Sequence, residues 1–187
     1  IVFGDWSSDV CSSDLVGTFV SGAGAAKLIY DDSDYHLDCI DTLNAKVNLM
    51  AALARAGMNF ASAMGTAGRM APERLRIGSL WDATGCPLAA DTRKRLRRLG
   101  FGPPGQSLAE AGQIGVSMPS AFLCVWSDEP PVPPELPSDG TIPGTVRDGA
   151  RVRAVQGSTP FVPQTAGHIL ASVAVRHLLG WRGGLPA

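Results

Sequence analysis

Residues 35–65, YHLDCIDTLNAKVNLMAALARAGMNFASAMG, change hydrophobic period twice, and that change limits the chain to few folds. Tyr35, Leu37, Cys39 and Ile40 form a short apolar strand ending at Asp41. Leu43, Val47, Met50, Ala51 and Ala54 then recur at the spacing of one helical face. Gly57 supplies a left-handed helix stop, and residues 58–64 read as a second strand. Strand, helix and strand joined by short turns make a βαβ unit, whose strands run parallel through a right-handed crossover. The expected class is α/β, a Rossmann-like doubly wound sheet.

Beyond that unit, a second helix is expected over residues 88–99, closed by Gly100, and a third strand over residues 121–126. Residues 127–157 gather prolines and read as an irregular surface excursion. A last helix over residues 164–179 places Ala166, Leu170, Val173, Ala174 and His177 on one face, which should pack back on the sheet. GAGAAK at residues 22–27 reads as a turn before a short helix, and residues 181–187 as a frayed tail. There is no internal repeat.

Composition excludes some functions. The 187 residues carry a net charge of −1, so charge alone selects no partner, and no run of 18 apolar residues could span a membrane. The stretch GDWSSDVCSSDL at residues 4–15 has no secondary-structure period; back-translated, it resembles a ligation adapter of short-read sequencing libraries. Residues 1–15 are therefore read as an adapter-derived, disordered artefact, and residues 16–180 as the C-terminal part of an N-terminally truncated domain. Cys11 falls in that stretch. The remaining cysteines, Cys39, Cys86 and Cys124, match neither a disulfide framework nor a zinc clip, and they fit a reducing cytoplasm. Cys39 and Cys124, in strands, are expected to be buried, and Cys86, before Pro87, to be exposed.

Ligands of open α/β sheets bind at the carboxyl ends of the strands. Asp38 and Asp41 lie there, three residues apart, so strand alternation cannot aim both the same way. Asp41 is the one at the turn. It suits two roles: the N-cap of the following helix, or an oxygen ligand for a magnesium-bound triphosphate.

DCIDTLNAKVNLM, from Asp38 onward, resembles the strand-to-helix signature of the ThiF/HesA/MoeB adenylyltransferase superfamily, relatives of the ubiquitin-activating enzymes. There an aspartate is followed five residues later by a basic residue; Asp41 and Lys46 occupy those positions. MGTAGRMAPERLRIGSL, GCPLAADTRKRLRRLG and GSTPFVPQTAGHILASVAVRHLLG follow in the same order as in the tRNA threonylcarbamoyladenosine dehydratases, and the similarity runs over about residues 16–180. The resemblance implies transfer of AMP from ATP onto a carboxylate of a modified tRNA adenosine, then ring closure within that group with loss of AMP. It implies ATP and Mg2+ as cofactors, no zinc, tRNA as partner and a homodimer. Asp41 would carry the metal or orient the nucleotide, and Lys46 would help hold it unless it is a solvated helix-surface ammonium.

The sequence also departs from that pattern. The superfamily's glycine-rich phosphate loop and ribose-binding acid are absent, so the N-terminal nucleotide-binding βαβ half is missing, and the chain as written is expected to be inactive and not to bind ATP. Two other readings stay open: an adenylyltransferase for a sulfur-carrier or ubiquitin-like protein, and a non-catalytic dimerising half-domain. RKRLRR at residues 93–98 holds five of the sixteen basic residues. Arg93, Lys94, Arg97 and Arg98 share a broad helical face that either contacts tRNA phosphates or is simply solvated. His36, His168 and His177 lack metal-ligand spacing and are expected to pack or cap.

Overall fold

The computed structural model describes residues 16–18, 20, 22–30, 32–103, 122–133 and 157–181. The readings of residues 1–15, of residues 134–156 within the proline-rich excursion and of the tail from residue 182 lie outside the described residues.

Four strands form one sheet: β1 (His36–Asp38), β2 (Phe60–Ala63), β3 (Leu75–Ser79) and β4 (Leu123–Ser127). Their spatial order is β1-β2-β4-β3. β1 and β2 are parallel with Asp38 opposite Ser62, and β2 and β4 are parallel with Ser62 opposite Cys124. The first crossover is helix α1 (Leu43–Arg55), as its spacing predicts. At its end Gly57 has φ 69°, Gly57 N–H donates to Ala54 O and Met58 N–H donates to Leu53 O. That pair of bonds is the glycine-dependent stop expected from the sequence. Helix α2 (Pro87–Arg98) ends the same way at Gly100, and its proline sits in the first turn, where no intrahelical donor is needed.

Helices cover both faces of the sheet. On one, Phe60, Cys124 and Trp126 meet Val47, Met50 and Leu53 of α1 and Ala89 and Leu96 of α2. Phe122 is the hub of that layer, with Phe60, Trp81 and Phe101 rings edge-on at 5.4–5.8 Å. On the other face, Ala61 and Val125 meet Val162, Ala166, Leu170 and Val173 of α3 (Phe161–Leu178). The opposite-facing neighbours Phe60 and Ala61, or Cys124 and Val125, show the two-residue alternation that lets each strand feed two cores. The fold is thus the expected α/β class with helices on both sides. Ala174 is half-buried and His177 exposed, so the α3 stripe is narrower than its spacing suggested.

Some boundaries differ from expectation. β1 ends at Asp38, not Asp41, because Asp38 Oδ1 accepts the Ile40 N–H at 3.0 Å and turns the chain. β3 was not anticipated. It pairs antiparallel to β4 with Gly78 opposite Cys124, and a Cβ on Gly78 would lie 3.3 Å from the Trp126 ring. The residue that interrupts its apolar pattern is therefore the one the indole needs small. Residues 22–28 form a 3-10 turn against α1. No described helix is long and apolar enough to cross a membrane.

Candidate functional site

The carboxyl ends of β1 and β2 open into a cleft of about 480 Å3, within the usual range for small-molecule sites. The β1–α1 turn contributes Cys39, Ile40 and Asp41, the segment after β2 contributes Met64 to Ala67, and Leu88 of α2, Ser158 just before α3, and Pro163 and Gly167 of α3 close it. This is where the strand order of an open sheet places a ligand.

Asp41 is exposed on the cleft wall, and one of its carboxylate oxygens accepts the Thr42 hydroxyl at 3.2 Å. The N-cap position belongs to Thr42, which makes no side-chain cap bond. The capping role that suited Asp41 is therefore not the one it plays. Mg2+ commonly takes one or two carboxylates and leaves its remaining positions to water and phosphate oxygens. A single carboxylate at an open cleft fits that habit. Among the described residues no group of three or more His, Cys, Asp or Glu side chains could hold a metal alone.

Lys46 is neither on the helix surface nor on the cleft wall. Its side chain is 0% exposed, and Nζ donates to Asp38 Oδ2 at 2.7 Å, Ser62 Oγ at 2.9 Å and Ala63 O at 2.8 Å. All three ammonium protons are used. Ser62 in turn donates to Asp38 Oδ2 at 2.6 Å. The sequence-based placement of Lys46 as a solvated helix-surface ammonium is corrected by this buried network. The pattern held one signal for it: Lys46 falls within the buried stripe of α1, three residues after Leu43 and four before Met50.

Arg69, missed in the sequence, is 2% exposed behind the segment that follows β2. Its guanidinium donates to the carbonyls of Gly65 (2.6 Å), Gly85 (3.3 Å) and Glu129 (3.1 Å), which belong to three separate loops. The Glu129 carboxylate accepts the Ala71 and Met70 amides, and those bonds, the first above all, hold its pKa below the ordinary value.

The thiols exchange the roles expected of them. Cys39 lies beyond β1 and is exposed, whereas Cys86 is buried; Cys124 is buried, as expected of a strand residue. Burial and the Asp38 carboxylate push the Cys39 thiol up, and burial pushes Cys124 up further. Neither is a thiolate nucleophile near neutral pH.

The basic run on α2 divides. Lys94, Arg97 and Arg98 are exposed, with Arg97 stacked 5.5 Å from the Trp81 ring. Arg93 is half-buried and donates to the carbonyls of Leu80 and Ala83, so it is a structural clamp and not part of a free face. From Leu88 on the cleft to Arg98 the helix rises about 15 Å. The histidines pack: His177 lies 5.0 Å from the Tyr35 ring, His168 Nδ1 is 2.8 Å from Gln164 O, and the His36 ring nitrogens are buried without a hydrogen-bond partner among the described residues.

No family model matches the chain. Over 174 residues it is 28% identical to the tRNA threonylcarbamoyladenosine dehydratase of Escherichia coli (strain K12), a match that covers 90% of this chain and 60% of that one. The crystal structure of the E. coli tRNA N6-threonylcarbamoyladenosine dehydratase in complex with AMP superposes with a TM-score of 0.65 at 25% identity, over 88% of this chain and 56% of that one. The complex of the same enzyme with ATP gives a TM-score of 0.65 at 24% identity, over 90% and 58%. The chain thus spans a little over half the length of the relatives it matches.

Proposed function

We propose that this chain carries the cleft half of an ATP-dependent tRNA threonylcarbamoyladenosine dehydratase. The observation that supports it best is Asp41, an uncapping, exposed carboxylate at the carboxyl end of a parallel strand, in a chain similar over 90% of its length to an enzyme of that name. The relative's structures with AMP and ATP support a nucleotide as the ligand.

In this reading the substrate carboxylate attacks the α-phosphorus of ATP, the bond to pyrophosphate breaks, and an acyl adenylate forms. A nucleophilic atom of the same threonylcarbamoyl group then attacks the activated carbonyl, closes the ring and releases AMP. Ring closure within one group draws on proximity, worth about 7–11 kcal/mol in well-oriented cases, so the cleft needs no protein nucleophile. That agrees with the protonated Cys39 beside it. Mg2+ would supply charge neutralisation at the phosphates, and Asp41 is the residue that would hold it. Lys94, Arg97 and Arg98 would meet tRNA phosphates at the far end of α2, and the full protein would work as a cytoplasmic homodimer.

ATP–pyrophosphate exchange by the full-length protein tests the reading. Exchange should require threonylcarbamoyl-modified tRNA, and Asp41→Ala should lower it by about a hundredfold or more with the thermal midpoint unchanged. Exchange that requires a ubiquitin-like or sulfur-carrier protein instead would replace this function with the other adenylyltransferase. No exchange with any acceptor would leave a non-catalytic domain.

A further inference from the structure

The Lys46 ammonium is fully buried, and so are the two side chains it holds, Asp38 and Ser62. Their bonds reach out of the core in two directions. Towards β2, Lys46 binds the Ser62 hydroxyl and the Ala63 carbonyl, and Ala63 lines the cleft. Towards β1, it binds Oδ2 of Asp38, whose other oxygen, Oδ1, accepts the Ile40 N–H. Ile40 is the residue before Asp41. A carboxylate that accepts an amide two residues on fixes a turn of defined shape, and here that turn carries Asp41 to the cleft wall. Unaided, Asp38 could rotate about χ1 and χ2 and leave the turn. With Oδ2 held by both Lys46 and Ser62, only one orientation keeps all three bonds.

We infer that Asp38 and Lys46 are positioning residues: together they lock the β1–α1 turn so that Asp41 faces the cleft. This rests on the reading of Asp41 as the ligand-holding carboxylate. Without a positioning role the pair has little reason to be charged, since buried ion pairs are commonly replaced by apolar residues of similar volume at no loss of stability.

That substitution supplies the test. In Asp38→Val/Lys46→Met the charges leave together and the core stays filled, whereas Asp38→Asn/Lys46→Met also removes them but keeps an acceptor for the Ile40 amide. Amide hydrogen exchange on the 187-residue chain needs no nucleotide. Ile40 exchange should rise at least tenfold in the Val/Met form and by less in the Asn/Met form, which keeps the acceptor but not the ammonium that holds it, with both thermal midpoints within a few degrees of wild type. In the full-length protein, the Val/Met form should lose exchange activity tenfold or more, the Asn/Met form should lose less, and neither should lower activity further in an Asp41→Asn background.

Unchanged Ile40 exchange in the Val/Met form, or wild-type exchange in the Asn/Met form, would overturn the inference. So would an activity loss that adds to that of Asp41→Asn. Faster Ile40 exchange in a parent protein with no adenylating activity would keep the turn lock and remove only the functional reading on which it rests.

Discussion

Two buried cations stand behind the cleft, and they are neutralised by opposite means. Lys46 meets a carboxylate and joins two strand ends that the sheet already pairs. Arg69 meets only backbone carbonyls among the described residues, and joins the loops after β2, before α2 and after β4. A point-like ammonium suits a compact carboxylate and hydroxyl, whereas a planar guanidinium with five donors suits carbonyls arriving from several directions. One cation is bound to a charge that is costly to leave alone, and the other to dipoles that can turn to water.

The comparison can be broken at either cation. Lys46→Met alone strands the Asp38 carboxylate in the core, and the stability measured by denaturant unfolding should fall by about 3–5 kcal/mol. A loss below about 1 kcal/mol would mean that the carboxylate finds water, and that the two cations are alike after all. Arg69→Met leaves unpaired carbonyls but no orphaned charge, so a smaller loss of about 2–3 kcal/mol is expected. A larger loss than that of Lys46→Met would reverse the ranking.

The smallest effect sharpens the Arg69 side. The Ala71 and Met70 amides hold Glu129 below its ordinary pKa of 4.5. Its contribution to stability is therefore complete above that value and is lost as the pH falls through the lower, folded-state pKa. Glu129→Gln should flatten that part of the acid limb of a stability-versus-pH curve and leave the curve above pH 5 parallel to wild type. An unaltered acid limb would show that these amides do not anchor the loop through the carboxylate.

What the sequence disclosed follows from how local each feature is. The βαβ unit, the glycine stops at residues 57 and 100 and the buried stripe of α3 are all written in spacings of three, four or two residues. The place of Asp41 at the turn beside the cleft was legible because a strand end followed by a helix is also a local pattern. Lys46 was not, because lysine is seldom buried and its partner Ser62 lies sixteen residues away on another strand. Cys39 and Cys86 were misplaced for a related reason. The Asp38 turn ends β1 early and leaves Cys39 outside, while the loop before α2 is tucked against Gly65, 4.0 Å from the Cys86 sulfur. β3 went unseen because its glycine answers to Trp126, a residue 48 positions on.

The clamp that Arg93 makes on the Leu80 and Ala83 carbonyls bears on how α2 would respond to salt. It leaves Lys94, Arg97 and Arg98 as the exposed cations of that run, with Arg95 half-buried beside them. Neutralising a phosphate releases roughly 0.7–0.9 of a condensed counterion, so this helix could displace about two to three ions. A logarithmic plot of RNA affinity against ionic strength should owe that much of its slope to α2, and a steeper line would point to basic groups elsewhere in the protein.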